Sequence, residues 1–354
     1  MSGGKKPRAM IAMSGGVDSS VAALLTKAAG YECVGLTMKL FPDTQDIASA
    51  KLAADKLGIE HRAVDFSSEF QERVIEPFIA AYESGETPNP CVTCNSEIKF
   101  GRLIEYAKAE GFDRLITGHY AGIYTGPDGA CRLKRAKDAT KDQTYFLFRL
   151  TPDKLRHLLF PLGGLTKKEV RAMAEEAGLP VFDKSESQDI CFIPDGDHAD
   201  FIAARRGTPP AIGDFVDTAG RVLGRHGGIE RYTIGQRKGL GVALGRPVFV
   251  KEIRKDSGQV VLAGEEEVFA SRIELSDVNM QAEEATLPMR VQVMIRYNAK
   301  PAWATVRPGP DESLIVEFDE PVRAPAKGQS AVMYDGDLVI GGGRIVAAGM
   351  NKRL

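Results

Sequence analysis

Two groups of residues have the types and spacing to do chemistry. Residues 13–20 read MSGGVDSS, between a short apolar run at 9–13 and an amphipathic helical stripe. A strand that stops at Ser-Gly-Gly and restarts as a helix leaves its first backbone N–H groups unpaired and aimed at one point. The positive end of the helix dipole coincides there, so the turn attracts an anion. Gly15 and Gly16 let the backbone approach closely, and Ser14 and Ser19 add hydroxyls. Asp18 is the odd member, because a carboxylate beside a phosphate site makes sense when a divalent cation lies between them. The GK[ST] of a Walker loop is missing. The second group is sulfur: Cys91-x-x-Cys94 in TPNPCVTCNSEIKF and Cys191 in SESQDICFIPDG. Pro88 and Pro90 predict an extended loop ending at the two thiols, with Asn95 or Ser96 capping the next helix. A thiol at such a helix start has its pKa drawn from about 8.5 towards neutrality, which favours nucleophilic sulfur at Cys94. Zinc takes four ligands, and no partner CxxC is present.

The elements that must position these groups follow from periodicity. Apolar residues fall at helical spacing in Val21, Leu24, Leu25, Ala28; in Ile47, Ala50, Ala54, Leu57; in Phe100, Leu103, Ile104, Ala107; and in Val170, Met173, Ala174, Ala177. Each stripe is followed by a glycine (Gly30, Gly58, Gly111, Gly178) suited to a left-handed C-cap. Thr166 with Glu169, and Ser68 with Gln71, have capping-box spacing. Short strands, YECVGLTM, HRAVDF and RLITGHY, follow the first three glycines. This alternation predicts an α/β unit, a doubly wound parallel sheet with its ligand beyond the C-terminal strand ends, where residues 13–20, Met38, Gly118 and His119 fall. YFLF after Lys141, Asp142 and Gln143 reads as a further strand.

The pattern changes near residue 205, where glycines and prolines multiply and short alternating runs take over. Residues 205–260 hold eleven Lys/Arg against five Asp/Glu, enough to meet RNA phosphates through Arg225, Arg231, Arg237 and Lys238. A small mainly-β central unit and a C-terminal sandwich or barrel are expected, with Trp303 in the barrel core. The expected domains are 1–204 (the α/β unit with the anion-binding turn and the three reactive thiols), 205–270 (basic, mainly β) and 271–354 (β-barrel). GLGVALG at 239–245 has the wrong spacing for a dinucleotide fingerprint and reads as a turn region.

The formal charge of −2 means that any nucleic-acid contact comes from local patches rather than a net field. With 43% hydrophobic residues the chain can build a real core. No apolar run reaches membrane-span length, and the start lacks the apolar stretch of a signal peptide. Five scattered cysteines argue for the reducing cytoplasm; Cys33 and Cys131, in a strand and a hairpin, read as core residues.

Taken in order, SGGVDSS, LTMK, TPNPxxxCN, EIKF, TGHY, KDQTYFL, ICFI and GQRKGLG resemble the tRNA-specific 2-thiouridylase family (MnmA/TrmU) of the PP-loop ATP pyrophosphatases, across nearly the whole chain. The resemblance implies an adenine nucleotide alpha hydrolase-like N-terminal domain and replacement of the C2 oxygen of a tRNA wobble uridine by sulfur. It implies ATP on Ala12, Met13, Ser14, Gly15, Gly16, Val17, Asp18, Ser19, Met38 and Gly118, with Mg²⁺ on Asp18. Cys94 would be the nucleophile and Cys191 the persulfide carrier, the two forming a disulfide in turnover. The tRNA and its base would be met by Asn89, Pro90, Cys91, His119, Lys141, Asp142, Gln143, Arg296, Tyr297 and Gln329. A persulfide donor or relay protein and a monomeric, cytoplasmic enzyme are implied as well. Cys91 stands where some members carry an acidic residue. Three thiols therefore allow an alternative in which Cys91, Cys94 and Cys191 hold a [4Fe–4S] cluster carrying sulfide. Two other readings are a PP-loop amide-forming ligase of the argininosuccinate or GMP synthetase kind, and a nucleotide-binding regulatory module with an RNA-binding appendage.

Overall fold

A computed structural model describes residues 6–41, 46–127, 129–180, 190–193, 197–282 and 285–350. The chain divides into two compact units, the first formed by Met1–Val74, Cys91–Gln188 and Gly336–Ile340, the second by Ile75–Pro90, Asp189–Asp335 and Gly341–Leu354. None of the helices among the described residues is long and apolar enough to cross a membrane.

In the first unit, β1 (Arg8–Ala12) leads into α1 (Val17–Ala28), and β2 (Glu32–Lys39), α2 (Asp46–Leu57) and β3 (Glu60–Asp65) follow. After α3 (Ser67–Phe70) and a π-helical segment, Gln71–Ile75, the chain passes through α4 (Glu76–Glu83) of the second unit. A helix then runs from α5 (Pro90–Cys94) through a π-helical stretch, Asn95–Arg102, into α6 (Leu103–Ala109). There follow β4 (Arg114–Ile116), the hairpin β5 (Gly122–Thr125) and β6 (Cys131–Lys134), α7 (Thr144–Leu147), α8 (Pro152–Arg156), β7 (Leu158–Leu159) and α9 (Lys167–Glu176). The sheet is parallel in the order β3-β2-β1-β4-β7. Strand order reverses between β1 and β4, the crevice where doubly wound sheets bind ligands. The stripes of α1, α2 and α9 share one core containing Val21, Ala50, Ala54, Val170 and Ala174. Gly30, Gly58, Gly111 and Gly178 all have positive φ, as the C-cap reading requires. The Thr166–Glu169 capping box is formed. Ser68 and Gln71 form none; instead Asp65 accepts from the amide and hydroxyl of Ser67, and the helix begins at Ser67, two residues earlier than a Ser68 cap would start it. YFLF is not a strand: Thr144–Leu147 is a helical turn, with Tyr145 inside it and Phe148 just after it fully buried.

In the second unit, α10 (His198–Arg206) precedes a four-stranded sheet of β8 (Gly213–Val216), β9 (Val222–His226), β10 (Phe249–Arg254) and β11 (Gln259–Ala263), in the order β10-β11-β8-β9. Phe215, Tyr232, Val250, Val260 and Leu262 form its core. The remaining strands are β12 (Phe269–Met280), β13 (Met289–Met294), β14 (Ala302–Pro308), β15 (Leu314–Arg323), β16 (Ser330–Asp335) and β17 (Leu338–Gly349). They close into a barrel because β12 pairs antiparallel with both β15 and β17, which removes the sheet edges. Trp303 does not lie in the barrel core. Ala304 and Val306 are the buried members of β14, so period-two alternation turns Trp303 outward, 47% exposed, with the Arg290 guanidinium 4.5 Å from its ring centre.

Candidate active site

The turn between β1 and α1 is built as an anion cradle. Gly15 has φ 72°, and Gly16 is the N-cap of α1 with extended backbone. No side chain caps this helix start among the described residues, so its first amides remain available to a ligand. The loop hydroxyls hold its shape: Ser19 Oγ donates to the Gly16 carbonyl (3.1 Å) and accepts the Ser14 amide (3.2 Å), and Ser20 Oγ donates to the same carbonyl (2.9 Å). Ser14 remains exposed. Met38 is half-buried near the end of β2, and its neighbour Thr37 donates to the Met13 carbonyl (2.8 Å), tying strand to loop.

Gly118, two residues past β4, supports the cradle. A β-carbon there would lie 2.7 Å from both the carbonyl carbon of Asp18 and the amide nitrogen of Ser19, closer than real side chains come. Gly118→Ala must displace the helix start it touches. We expect at least a tenfold loss of ATP affinity, about 1.4 kcal/mol, with the fold retained; unchanged affinity by calorimetry would show that the loop tolerates the shift.

Asp18, in the first turn of α1, does not stand alone. Lys167 Nζ, from the first residue of α9, lies 2.7 and 2.9 Å from its two oxygens, and Tyr120 Oη donates to Oδ1 at 2.8 Å. Tyr120 is held in turn by Gln143, whose side-chain oxygen accepts the Tyr120 amide and whose own amide donates to the Tyr120 carbonyl, each at 2.9 Å. Asp142 is a buried anchor: its carboxylate accepts from Arg135 (3.1 Å), the Thr144 hydroxyl (2.8 Å) and the Ala136 amide (3.1 Å). Lys141 is half-buried at the turn before it. A carboxylate beside uncapped helix amides is the donor set that fits Mg²⁺ with a polyphosphate, and Asp18 is the residue that would hold the ion.

The sulfur-bearing helix starts earlier than the proline spacing predicts. Pro90 is its first residue, where a missing N–H costs nothing. Cys91 therefore lies in the first turn and Cys94 one turn further in, while Asn95 and Ser96 are inside the helix rather than capping it. The Ser96 hydroxyl donates to the Thr93 carbonyl (3.1 Å), and Asn95 Nδ2 to the Phe146 carbonyl (3.2 Å). Cys94 is buried and Cys91 exposed at its surface, yet the protein around Cys91 pushes its thiol pKa up, only partly opposed by Lys99. At i, i+3 the two thiols share a helix face. All five cysteines are free thiols.

His119 follows β4 and is packed against Phe100 and Phe160, with Nδ1 2.8 Å from the Thr117 hydroxyl. Burial, reinforced by Lys99, holds its pKa well below the ordinary value, so it meets a ligand as a neutral ring rather than a cation. The other four histidines, His61, His157, His198 and His226, are also shifted down, burial being the largest cause for each. The unfolded chain takes up protons near pH 6.5 that the native chain refuses, so stability is full above that pH and lost as pH falls below it. We expect the melting temperature to drop steadily from pH 7 to 5.5 and His119→Gln to make the drop shallower. Superimposable pH profiles for the two proteins would contradict this.

In the second unit, Gln329 Nε2 donates to the carbonyls of Thr87 (3.0 Å) and Pro88 (3.3 Å), and the Thr87 amide donates to Lys327 O (2.8 Å). Gln329 thus pins the loop that carries Asn89 and leads to Pro90. Arg296 donates to the Arg323 carbonyl, with the half-buried Tyr297 beside it. Cys191 is exposed, and the next residue, Phe192, is buried in edge contact with Phe78 (5.3 Å between ring centres) and packed on Phe201 (5.4 Å). The exposed thiol is thereby anchored one residue away. Arg231 is committed to Asp197 and Asp200 (3.2 and 2.6 Å), and Arg225 lies 3.7 Å from Asp214, whereas Arg237 and Lys238 are exposed. Lys167 and Tyr120 are the functional candidates that residue-by-residue reading missed. Tyr120 lies within the TGHY motif, but the signal for Lys167 is only a cation in the first turn of a capped helix.

Comparison with known proteins bears on this arrangement. Residues 7–195 match the tRNA methyl transferase HUP domain, 199–264 the tRNA methyl transferase PRC-barrel domain and 270–345 the aminomethyltransferase β-barrel domain. A tRNA-specific 2-thiouridylase MnmA of Clostridium acetobutylicum is 46% identical, covering 96% of this chain and 99% of its own. One from Lachnoclostridium phytofermentans is 43% identical over the same shares of the two chains. Among solved structures, a predicted subunit of tRNA methyltransferase from Methanocaldococcus jannaschii is similar at 20% identity and a TM-score of 0.33, covering 48% of this chain and 76% of that one.

Proposed function

Since the chain belongs to the tRNA-specific 2-thiouridylase family, we propose that it replaces the C2 oxygen of the tRNA wobble uridine by sulfur, using ATP and a cysteine persulfide. Two of the matched domain models are described as tRNA methyl transferase domains, but the observation that favours ATP-dependent activation over methyl transfer is the uncapped, glycine-lined start of α1 with Asp18 beside it. A methyl transfer has no use for a triphosphate cradle. An amide-forming ligase would share that cradle but would need neither Cys94 nor Cys191.

A uracil C2 carbonyl has no usable leaving group. Transfer of AMP to its oxygen supplies one, and pyrophosphate departs into the amides of the α1 start. Mg²⁺ held by Asp18 would neutralise the charge that develops there. The Cys94 thiolate attacks the inner sulfur of a Cys191 persulfide, forming a Cys94–Cys191 disulfide and expelling hydrosulfide. Hydrosulfide adds to C2, AMP leaves, and loss of a proton gives the thiocarbonyl; a dithiol reductant then reopens the disulfide. Cys94, which the helix start at Pro90 leaves one turn inside rather than at the terminus, takes the attacking role in this reading, and the exposed Cys191 suits loading by a protein donor. Cys91 and Cys94 also share a helix face suited to cluster ligation, but persulfide transfer needs only Cys94 and Cys191 and gives Cys91 no obligatory step. The persulfide route is therefore our reading. We assign catalysis to residues 1–204, tRNA contact to 205–270 and the barrel to 271–354, a division consistent with the spans of the three matched domains.

Radiolabelled ATP, tRNA and a persulfide donor test the proposal: AMP and 2-thiouridine should appear together, and neither without tRNA. For the basic segment, Arg237→Ala with Lys238→Ala should weaken tRNA binding, lower the magnitude of the salt slope by about one to two and leave ATP affinity unchanged. An unchanged slope would remove these two residues from the interface.

A further inference from the structure

The Lys167–Asp18 pair is an unexpected arrangement at the mouth of a phosphate cradle. Both Asp18 oxygens are engaged by one ammonium, and the lysine side chain is only 13% exposed against 33% for the aspartate. Lys167 is not loosely placed. Its backbone amide donates to Asp138 (3.0 Å), the Thr166–Glu169 capping box fixes the start of α9, and Val170 and Ala174 seat that helix in the core it shares with α1. Two helices meeting in one core thus bring a cation to the first turn of α1, across 149 positions of sequence.

A partly exposed ion pair adds little to stability, about 0–1 kcal/mol, so stability alone is a weak reason to hold it here. The carboxylate also opposes any anion entering the uncapped amides, unless its charge is balanced. A lysine ammonium is a point charge on a flexible stem and can change acceptor at low cost. We infer that Lys167 is a phosphate-binding residue parked on Asp18 in the free protein: with nucleotide it turns to the β- and γ-phosphate oxygens, leaving the Asp18 carboxylate to the accompanying divalent cation. Tyr120, held by Gln143, keeps Asp18 oriented while the lysine moves. The inference rests on the site being an ATP pyrophosphatase site.

Nucleotide binding tests it without sulfur donor or tRNA. Lys167→Met keeps the apolar stem, and Lys167→Arg keeps the charge. Calorimetry with ATP and Mg²⁺ should show at least a tenfold loss of affinity for Lys167→Met and a smaller loss for Lys167→Arg. AMP, which lacks the β- and γ-phosphates, should bind both variants within about twofold of wild type. Melting temperatures of both variants should stay near that of wild type. An unchanged ATP affinity, or equal losses for ATP and AMP, would overturn the inference, because the pair would then be purely structural. Failure of the wild type itself to bind ATP would instead refute the pyrophosphatase reading on which it stands.

Discussion

Asp18→Asn is expected to lower tRNA-dependent pyrophosphate release by at least about a hundredfold, the scale for losing one preorganised electrostatic group at a reacting centre. The substitution keeps the size of the side chain and an oxygen to accept from Tyr120 Oη. It removes the charge, and with it both the anionic ligand that a divalent cation would use and the partner of Lys167. Because the pair is partly exposed, the melting temperature should change by a few degrees at most. Full activity with intact folding would mean that the carboxylate has no part in the chemistry.

Of equal expected size is the effect of removing either working thiol. Cys191→Ser should accept no sulfur from a persulfide donor. Cys94→Ser should accept sulfur on Cys191 and still adenylate the uridine, yet form less than about one per cent of the wild-type 2-thiouridine, since no thiolate remains to break the S–S bond. Cys91→Ser should retain substantial activity: its thiol is pushed towards the protonated form and has no obligatory step. A cluster held by three cysteines ranks the variants differently, because loss of any ligand should remove iron and activity together. An inactive Cys91→Ser, together with iron in wild type purified anaerobically, would replace the persulfide route.

Much of the site's scaffold was legible because it rests on local rules. The stripes of α1, α2 and α9 and the glycines that end them are short-range signals, and each appears with the expected conformation. The strand-to-helix turn at Gly15 and Gly16 was readable for the same reason. What escaped was set by competition or distance. Pro88 and Pro90 fit an extended loop and a helix start equally well, and the helix won by taking Pro90 as its first residue. The stretch Asn95–Arg102 winds wider than 3.6 residues per turn, which a 3.6-residue stripe cannot register. Trp303 was misplaced because hydrophobicity alone does not choose between the two faces of β14; Ala304 and Val306 settle it. Lys167 on Asp18 is a tertiary contact between two helix starts, visible only once α9 is packed on α1.

On the chemistry proposed above, one triphosphate is split to activate one uridine for each sulfur transferred. The direct measurement is stoichiometry: wild-type protein, tRNA, ATP, Mg²⁺ and a persulfide donor, with AMP, pyrophosphate and 2-thiouridine counted in the same reaction. One AMP and one pyrophosphate for each 2-thiouridine, with all three lost in Asp18→Asn, is the predicted result. Formation of ADP and phosphate, or 2-thiouridine made without ATP, would contradict the account.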